Sequence, residues 1–534
     1  MTAHISVLDW IIIAIYCFGL LAMAYYLSRS QSNREDYYVG GRAIGAWPVG
    51  LSIMATQCST NSILGAPAFV AFAAGGGLVW LQYELAVPLA MIVLILFFMP
   101  LFRHLQLISV YAYLEQRFDL ATRLTISGLF LFVRAFATSV TVYSIAIVID
   151  LITGLGFFYS VILLGVFTVV YDVMGGIKGV IYSDVIQLLI LVLMLAMVLL
   201  FLIDESGGFA SMWQAFGSER KQALDFAHHG LGDGQTFAFW PMLLGGLFLY
   251  VSYYGCDQSQ VQRQLSTSDI DTTNKALFIN GLLRFPLVLL YCFVGIGIAV
   301  YAVNSPEFIQ SLPLKNGSPE VNLAVPVYMI NALPTGLVGL SLVALFAAAM
   351  SSLDSVLNSL SATTMEDFVR RFHRGSWNQH KELVYSRIIT SVWGCVTLAM
   401  AFFVGDIAPT VLEGINKIGS LANGPILAVF VIGFLLKRVQ GSAVIAGLIS
   451  GMIFNGLCWL YLPQVSWLWW NVFGFFVTSI IAFLLSFIPS GVYHKNQLAS
   501  ASQYLIQEAK INWHKMSLLL MIWFLSLICL LWLI

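Results

Sequence analysis

The segment LFAAAMSSLDSVLNSLSATTMED, residues 345–367, decides the fold, because it has the length and apolar flanks of a membrane helix and yet is rich in hydroxyl groups. At about 100° per residue, one face of this helix carries Ala348, Ser351, Ser352, Ser355 and Ser359. Asp354 lies at the edge of that face. Polar groups in hydrocarbon cost several kcal/mol unless they are partnered. The hydroxyls either hold neighbouring helices together or supply oxygen ligands to a small hard cation.

The composition supports a membrane location for the whole chain. Of 534 residues, 59% are hydrophobic and 10% are charged, whereas about 25% of residues are charged in soluble proteins. The net charge of -1 and the lack of a basic tract argue against a nucleic-acid partner. The seven cysteines form no CxxC motif, so neither a disulfide framework nor a zinc site is indicated. The chain is expected to be an all-α polytopic membrane protein.

Apolar runs long enough to cross about 30 Å of hydrocarbon predict about fourteen membrane helices. The runs are 7–27, 45–73, 79–102, 124–152, 157–174, 184–203, 237–257, 277–303, 335–365, 386–405, 409–436, 441–462, 467–488 and 515–534. When the loops are assigned to alternate sides, most of the 25 Lys and Arg fall on one side. Only Arg220, Lys221 and Lys315 fall on the other. Positive charge stays inside, so both termini are expected outside the cell membrane.

Two segments of similar organisation stand in the middle of the chain, at 45–203 and 237–436. Each begins with a hydrophobic run that small and polar residues interrupt, MATQCSTNSILGAP at 54–67 and YYGCDQSQVQRQ at 253–264. Interrupted helices at matching places in two halves point to a transporter site between inverted repeats. Ordinary kinks at Gly and Pro are the alternative.

The remaining segments complete the predicted organisation. They are a first helix and inner loop (1–44), an outer loop (204–236), accessory helices (437–488), and a polar linker with a peripheral last helix (489–534).

Four stretches give the chain its resemblance to the sodium/solute symporter family, which includes the sugar, iodide and multivitamin cotransporters. GGIKGVIYSDVIQ at 175–187 resembles the family's GGxKAVxxTDxxQ motif, and YGCDQSQVQRQL at 254–265 resembles its YGx[ND]QxxxQRxL motif. The serine-rich helix matches the AxxS[ST] signature, and YYVGGR at 37–42 matches the end of the first inner loop. The resemblance implies the leucine-transporter architecture, with two five-helix inverted repeats and extra flanking helices.

The resemblance also implies a sodium site and no organic cofactor. Its ligands would be the backbone oxygens of Ala55, Cys58 and Ala348 together with the hydroxyls of Ser351 and Ser352. A hard cation prefers such oxygen ligands, and carbonyls at a helix break are free to point at it.

Some members of the family have a second sodium position, which here would include Asp184, Ser352 and Ser355. A carboxylate at membrane depth costs about 2.5–3.5 kcal/mol on insertion scales, so Asp184 needs a partner, and a salt link or a helix N-cap is the alternative. Asp354 replaces the Ser, Thr or Ala of the sugar branch. It either adds a cation ligand or pairs with a basic residue.

The solute is expected between the two broken helices. The positions that match solute-lining positions by motif offset are Ser62, Tyr83, Glu84, Ala137 and Lys417. Arg134 lies one turn from Ala137, and Arg284 precedes Pro286. Lys417 with Arg134 could clamp a carboxylate, which favours an organic acid. Glu84 paired with Lys417 would instead leave a binder of hydroxyl groups.

Tyr253 and Tyr254, at the second break, either gate the pocket or pack in the core.

The sequence therefore predicts a sodium-coupled symporter that imports a small organic solute by alternating access, and it predicts no enzymatic activity. Coupling to protons through Asp184 or Asp354, or uniport, is one alternative on the same fold. A transporter-like sensor or channel is another. The sequence leaves the solute's identity and the oligomeric state, monomer included, open.

Overall fold

A computed structural model describes residues 6–58, 60–315, 317–373, 375, 377–404, 411–488 and 509–534, with backbone only at 60–61 and 411–416. Across these residues the regular secondary structure is helical apart from one two-stranded hairpin, β1 (Leu314–Lys315) and β2 (Ser318–Pro319). The expected all-α fold class is thereby confirmed.

The helices of the first half are α1 (Val7–Ser28), α2 (Arg34–Val39), α3 (Ala46–Gln57), α4 (Thr60–Phe72), α5 (Leu81–Glu84), α6 (Ala86–Val93), α7 (Met99–His104), α8 (Ala112–Arg117), α9 (Leu120–Thr153), α10 (Phe157–Glu205), α11 (Phe209–Ala215) and α12 (Ser218–Lys221). Those of the second half are α13 (Gly246–Cys256), α14 (Gln258–Leu265), α15 (Ile270–Asn304), α16 (Pro306–Gln310), α17 (Ala324–Ala332), α18 (Leu337–Thr363), α19 (Arg370–Phe372), α20 (Gln379–Ala401), α21 (Val411–Leu435), α22 (Gly441–Tyr461), α23 (Leu468–Leu485) and α24 (Trp513–Leu533). Short 3₁₀ or π turns continue several of them: Gly40–Arg42, Leu78–Trp80, Leu94–Phe98, Pro241–Gly245, Val321–Leu323 and Thr364–Val369.

Eleven helices among the described residues are long and apolar enough to cross a membrane. This number does not by itself confirm the predicted fourteen spans. One of the eleven is α10, whose 49 residues exceed the roughly 20 that a bilayer crossing needs. The helix bends at Gly176, where φ is 55° and ψ is -161°.

Both predicted helix interruptions are confirmed. The first hydrophobic run breaks between Gln57 and Thr60, and Cys58 has non-helical angles of -81° and 62°. The second breaks at Asp257, whose angles of -91° and 124° are extended and whose carboxylate caps α14 by accepting the backbone N–H of Ser259 at 2.9 Å. An Asp at this position satisfies an amide that the new helix leaves unpaired.

The serine-rich helix α18 lies at the centre of the molecule, in contact with α1, α3, α9, α10, α14 and α20. Its N-terminus is held by α1, because the Asp9 carboxylate accepts the backbone N–H groups of Gly336 at 2.8 Å and Gly339 at 2.7 Å. A carboxylate at this end also complements the helix dipole. Helices α1 and α18 are therefore tied together.

The last helix is anchored to the body of the protein at its start. Asp271, in the first turn of α15, accepts the indole N–H of Trp513 at 2.7 Å and the backbone N–H of Lys510 at 2.8 Å. Helix α24 then packs along α6 and α15. Residues 489–508 of the predicted polar linker lie outside the described residues.

The bend at Gly176 leads to a testable prediction about the stability of the fold. Its backbone conformation is one that essentially only glycine adopts, and a Cβ there would lie 2.8 Å from the carbonyl oxygen of Tyr37. We expect Gly176→Ala to lower the free energy of unfolding by about 1–3 kcal/mol from strain alone, measured by thermal unfolding in detergent. Gly179→Ala is the matched control, since no atom lies within 4 Å of its Cβ position. Equal stability of the two variants would contradict the argument.

Candidate functional site

A cavity of about 270 Å³ lies where the two broken helices meet α9, α15, α18 and α21. Apolar and aromatic side chains supply most of its wall, together with a few polar and charged groups. The polar and charged members include Thr56, Gln57, Ser62, Glu84, Arg134, Asp257, Ser259, Arg284, Ser352 and Asn423. A largely apolar pocket with a small number of converging polar groups is the usual form of a small-molecule site.

The structure brings most of the predicted solute-binding residues to this wall. Those that line it are Ser62, Tyr83, Glu84, Arg134, Ala137 and Arg284, with Tyr253 of the predicted gate. Lys417 is not among the lining residues, although the residues after it on α21, Ile418 and Gly419, are. A carboxylate clamp formed by Lys417 with Arg134 stays a prediction.

Glu84 and Arg284 form a buried ion pair on one side of the cavity. Arg284 Nε lies 3.1 Å from Glu84 Oε2, and the two side chains are 5% and 2% exposed. Tyr250 donates its hydroxyl to Glu84 Oε1 at 3.2 Å, and Arg284 Nη1 donates to Cys58 Sγ at 2.7 Å. The structural partner of Glu84 is thus Arg284, and the Cys58 thiol at the first break helps to hold that guanidinium.

Arg134 and Asp257 form a second ion pair, which is partly open to the cavity. Arg134 Nε donates to Asp257 Oδ2, and the side chains are 24% and 13% exposed. The guanidinium lies 4.9 Å from the ring centroid of Tyr253, whose hydroxyl accepts a hydrogen bond from Gln260 at 2.8 Å. Asp257 therefore both caps α14 and positions Arg134.

The two predicted gate tyrosines have different surroundings. Tyr253 lines the cavity, where it stacks against Arg134. Tyr254 does not line it and is fully buried, and its hydroxyl donates to the Gln57 side chain. This hydrogen bond joins the two broken helices directly, which fits core packing for Tyr254 better than a gate.

The hydroxyls of α18 face in two directions. Ser352 lines the cavity and donates to the carbonyl of Ala348 at 3.2 Å. Ser351 donates to Asp184 Oδ1, and Ser355 donates to the carbonyl of Ser351. Helix α18 packs against both halves of the first broken helix; Ala55 lies on the first half and Cys58 at the break. The proposed ligands therefore lie on elements that are in contact.

Asp184 is fully buried in an ion pair with Arg263. Arg263 Nη2 lies 3.3 Å from Asp184 Oδ2, and the side chains are 1% and 0% exposed. Ser52 donates to Asp184 Oδ2 at 2.6 Å and accepts from Arg263 Nε at 2.8 Å. Since α10 continues through Asp184, a helix N-cap is excluded. The salt-link alternative is present in the structure, and a cation at Asp184 stays a prediction.

Asp354 is also fully buried, and no basic side chain pairs with it within the described part of the chain. Its oxygens accept hydrogen bonds from the hydroxyls of Tyr171, Ser183 at 3.4 Å and Ser355 at 3.2 Å. Pairing with a basic residue is therefore not observed among the described residues, and a role for Asp354 as a cation ligand stays a prediction.

The sequence reasoning missed Arg263 and Asp172. Arg263 is part of the YGCDQSQVQRQL motif, so a basic residue in an apolar run was a usable signal for the partner of Asp184. Asp172 lies just before the GGIKGVIYSDVIQ motif, in an apolar run where a carboxylate is equally unusual.

Comparison with known proteins connects this architecture to a family. A profile of the sodium:solute symporter family matches residues 37–451. The sodium/sialic acid symporter NanT of Aliivibrio fischeri is 27% identical over 484 residues, covering 89% of this chain and 92% of its own. The sodium-dependent multivitamin transporter of Oryctolagus cuniculus is 28% identical over 467 residues, covering 85% of this chain and 70% of its own.

A solved structure of a sodium-coupled sialic acid symporter, in a substrate-bound outward-open state, superposes with a TM-score of 0.81 at 24% identity. The superposition covers 91% of this chain and 98% of that one. Mhp1, a nucleobase-cation symporter in a closed conformation, gives a TM-score of 0.56 at 14% identity, over 88% and 97% of the two chains. These likenesses establish the five-plus-five inverted-repeat fold of the leucine-transporter type.

The fold and the cavity between two broken helices define a secondary transporter. The chain belongs to the sodium:solute symporter family. It is accordingly a multi-pass membrane symporter that couples a small solute to sodium.

Proposed function

We propose that the solute is a small organic anion, bound through its carboxylate by Arg134. Arg134 is the cavity arginine that is more exposed, and its Nε is engaged by Asp257. Within the described residues, its two terminal nitrogens make no hydrogen bond, so they are available as parallel donors. A guanidinium offers such donors in the geometry that a carboxylate accepts. This observation carries the proposal.

Arg284, the other arginine that lines the cavity, is proposed to have a different role. Arg284 already gives hydrogen bonds to both oxygens of Glu84 and to Cys58. Its donors are largely used, and its burial leaves little room for a ligand atom. Arg284 and Glu84 would therefore shape the pocket, while Ser62, Tyr83 and Ala137 contact the body of the solute. The relatives named for sialic acid and for monocarboxylates support an acidic solute.

The coupling sodium is proposed to bind the carbonyls of Ala55, Cys58 and Ala348 and the hydroxyls of Ser351 and Ser352. Sodium then stabilises the conformation that accepts the solute, and it acts only through its better binding to that state. A second cation would be held by Asp184, Asp354, Ser352 and Ser355. Asp184 would share its charge with Arg263 in that case.

The proposed setting is the cell membrane, with both termini outside and the arginine-rich ends of the helices inside. That inner end would be closed by ion pairs of Arg34 with Glu366 and Glu382, and of Arg123 with Glu115 and Asp367. The activity is proposed to be transport without covalent chemistry.

A thermal-shift screen of the purified chain in NaCl tests the solute class. Sialic acid and short monocarboxylates are expected to raise the melting temperature, whereas neutral sugars are expected to leave it unchanged. Arg134→Gln should weaken the acid's apparent affinity at least about thirtyfold, because an ion pair of this kind is worth about 2–5 kcal/mol. Uptake of the same acid into proteoliposomes should fall in parallel.

Arg29→Gln is the matched control, since Arg29 lies at the exposed end of α1 against Tyr25. Stabilisation by neutral sugars alone, or an unchanged affinity in Arg134→Gln, would contradict the proposal.

A further inference from the structure

Asp172 has surroundings that a buried carboxylate cannot tolerate when it is ionised. It lies on α10, four residues before the bend at Gly176, and its side chain is 0% exposed. Neither carboxyl oxygen has a hydrogen-bond partner among the described residues, and no ion pair there includes Asp172. An ionised carboxylate buried without partners is strongly disfavoured, so such a group takes up a proton or a cation.

The groups beside Asp172 fit a neutral acid. Asn358 of α18 faces it, and the amide nitrogen of Asn358, which has no other partner among the described residues, is a donor directed at this carboxyl. Gln262 of α14 donates to Asn358 Oδ1 at 2.7 Å, and its own carbonyl oxygen is left as an unused acceptor. A protonated carboxyl is both a donor and an acceptor, so it can accept the N–H of Asn358 without carrying a charge. A sodium ion needs several oxygen ligands, and an amide N–H is not one.

The charges around Asp172 are unbalanced. Three fully buried carboxylates, Asp172, Asp184 and Asp354, lie near one another with Arg263 as the cation that pairs with one of them. The other groups facing the cluster include three phenols, those of Tyr171 on the same helix, Tyr37 on α2 and Tyr16 on α1. Arg387 of α20 also faces Tyr37, and its Nη2 donates to the Gln31 side chain at 3.1 Å.

We propose that Asp172 is a proton-binding site whose occupancy is coupled to sodium. In the absence of sodium Asp172 carries a proton, and its deprotonation adds a negative charge near the proposed sodium ligands at Ser351 and Asp184. Sodium and the proton therefore oppose each other, and by linkage each weakens the other's binding to the same extent. The proposal rests on the sodium site proposed above.

The test is the pH dependence of sodium binding to the full chain in detergent. NaCl is titrated against choline chloride at several pH values from acid to mildly alkaline, with thermal stability and tryptophan fluorescence as readouts. For the wild type, the half-saturating sodium concentration should fall as the pH is raised, by up to about tenfold per pH unit in the range where one proton is exchanged. Asp172→Asn mimics the protonated form, so its sodium affinity should match the wild type at acid pH and then stay flat.

Asp204→Asn is the matched control, because Asp204 lies at the exposed end of the same helix; it should keep the wild-type slope. A direct measurement supports the titration: NaCl added to weakly buffered wild-type protein should release protons to a pH indicator, and choline chloride should not. A pH-independent sodium affinity in the wild type overturns the proposal, and so does an Asp172→Asn variant that keeps the wild-type slope.

The proton-release measurement uses the wild type alone, so it tests the proposal even if Asp172→Asn folds poorly. Absence of sodium-driven proton release overturns the proposal by itself. If NaCl fails to change the wild type in any readout, the sodium site of the proposed function fails. Sodium binding without proton release removes the coupling alone.

Discussion

Replacing Ser351 and Ser352 together by alanine is expected to raise the half-saturating sodium concentration about a hundredfold or more. The variant removes two oxygen ligands of the proposed site, and a hydrogen bond or contact to a charged group is worth about 1.5–3 kcal/mol. Two such losses amount to about 3 kcal/mol at least, or about a hundredfold in affinity. The measurement is stabilisation by NaCl, compared with choline chloride, of protein purified in detergent.

Ser359→Ala is the control for this variant. Ser359 lies on the same face of α18, two turns further on, and its hydroxyl is occupied by the carbonyls of Ser355 and Val356. It should leave the sodium titration unchanged. Because Ser351 also donates to Asp184, Ser352→Ala alone separates the loss of a ligand from a disturbance of that carboxylate. A wild-type sodium curve in the double variant would remove both serines from the site.

Arg263→Met is expected to give the largest loss of stability. The substitution leaves Asp184 buried without its cation, and breaking one side of a buried ion pair costs about 3–5 kcal/mol. The double variant Arg263→Met with Asp184→Asn should recover most of that loss, because it removes the uncompensated charge. The free energy of unfolding in detergent measures both.

Arg29→Met is the control for these two variants. It removes an arginine from an exposed helix end and should change the free energy of unfolding little. If the double variant is no more stable than Arg263→Met, then the guanidinium stabilises the fold mainly through contacts other than its ion pair with Asp184. In that case its hydrogen bonds to Ser52 and Ser355 would matter more than the charge of Asp184.

The features that sequence could predict are those that one segment carries alone. The two helix breaks were recognisable because polar residues interrupt apolar runs, and the structure places them at Cys58 and Asp257. The stripe on α18 followed from helical periodicity. The ion pair of Arg263 with Asp184 joins residues 79 positions apart, and such a pairing depends on how helices pack, which no local pattern encodes.

The placement of Lys417 shows a different limit. A motif offset gives the position along a helix but not its rotation, and one residue turns a helix by about 100°. Ile418 and Gly419 line the cavity, whereas Lys417 is not a lining residue. Asp172 lies three residues before the motif that begins at Gly175, so no motif position marks it, and its lack of a partner among the described residues depends on how α10 packs against its neighbours.

The hydrogen bonds from Gly336 and Gly339 to Asp9 give experimental access to a helix that is otherwise hard to reach. Helix α18 is enclosed on most sides, whereas α1 presents side chains such as Phe18 and Tyr26 to the exterior. A fluorophore or spin label on the outer side of α1 would travel with the serine-bearing helix and leave its hydroxyls intact. A second label at the periphery of α9 or α22 would then give a distance that reports how α18 moves during transport. Neither label would alter the residues proposed to bind sodium or the solute.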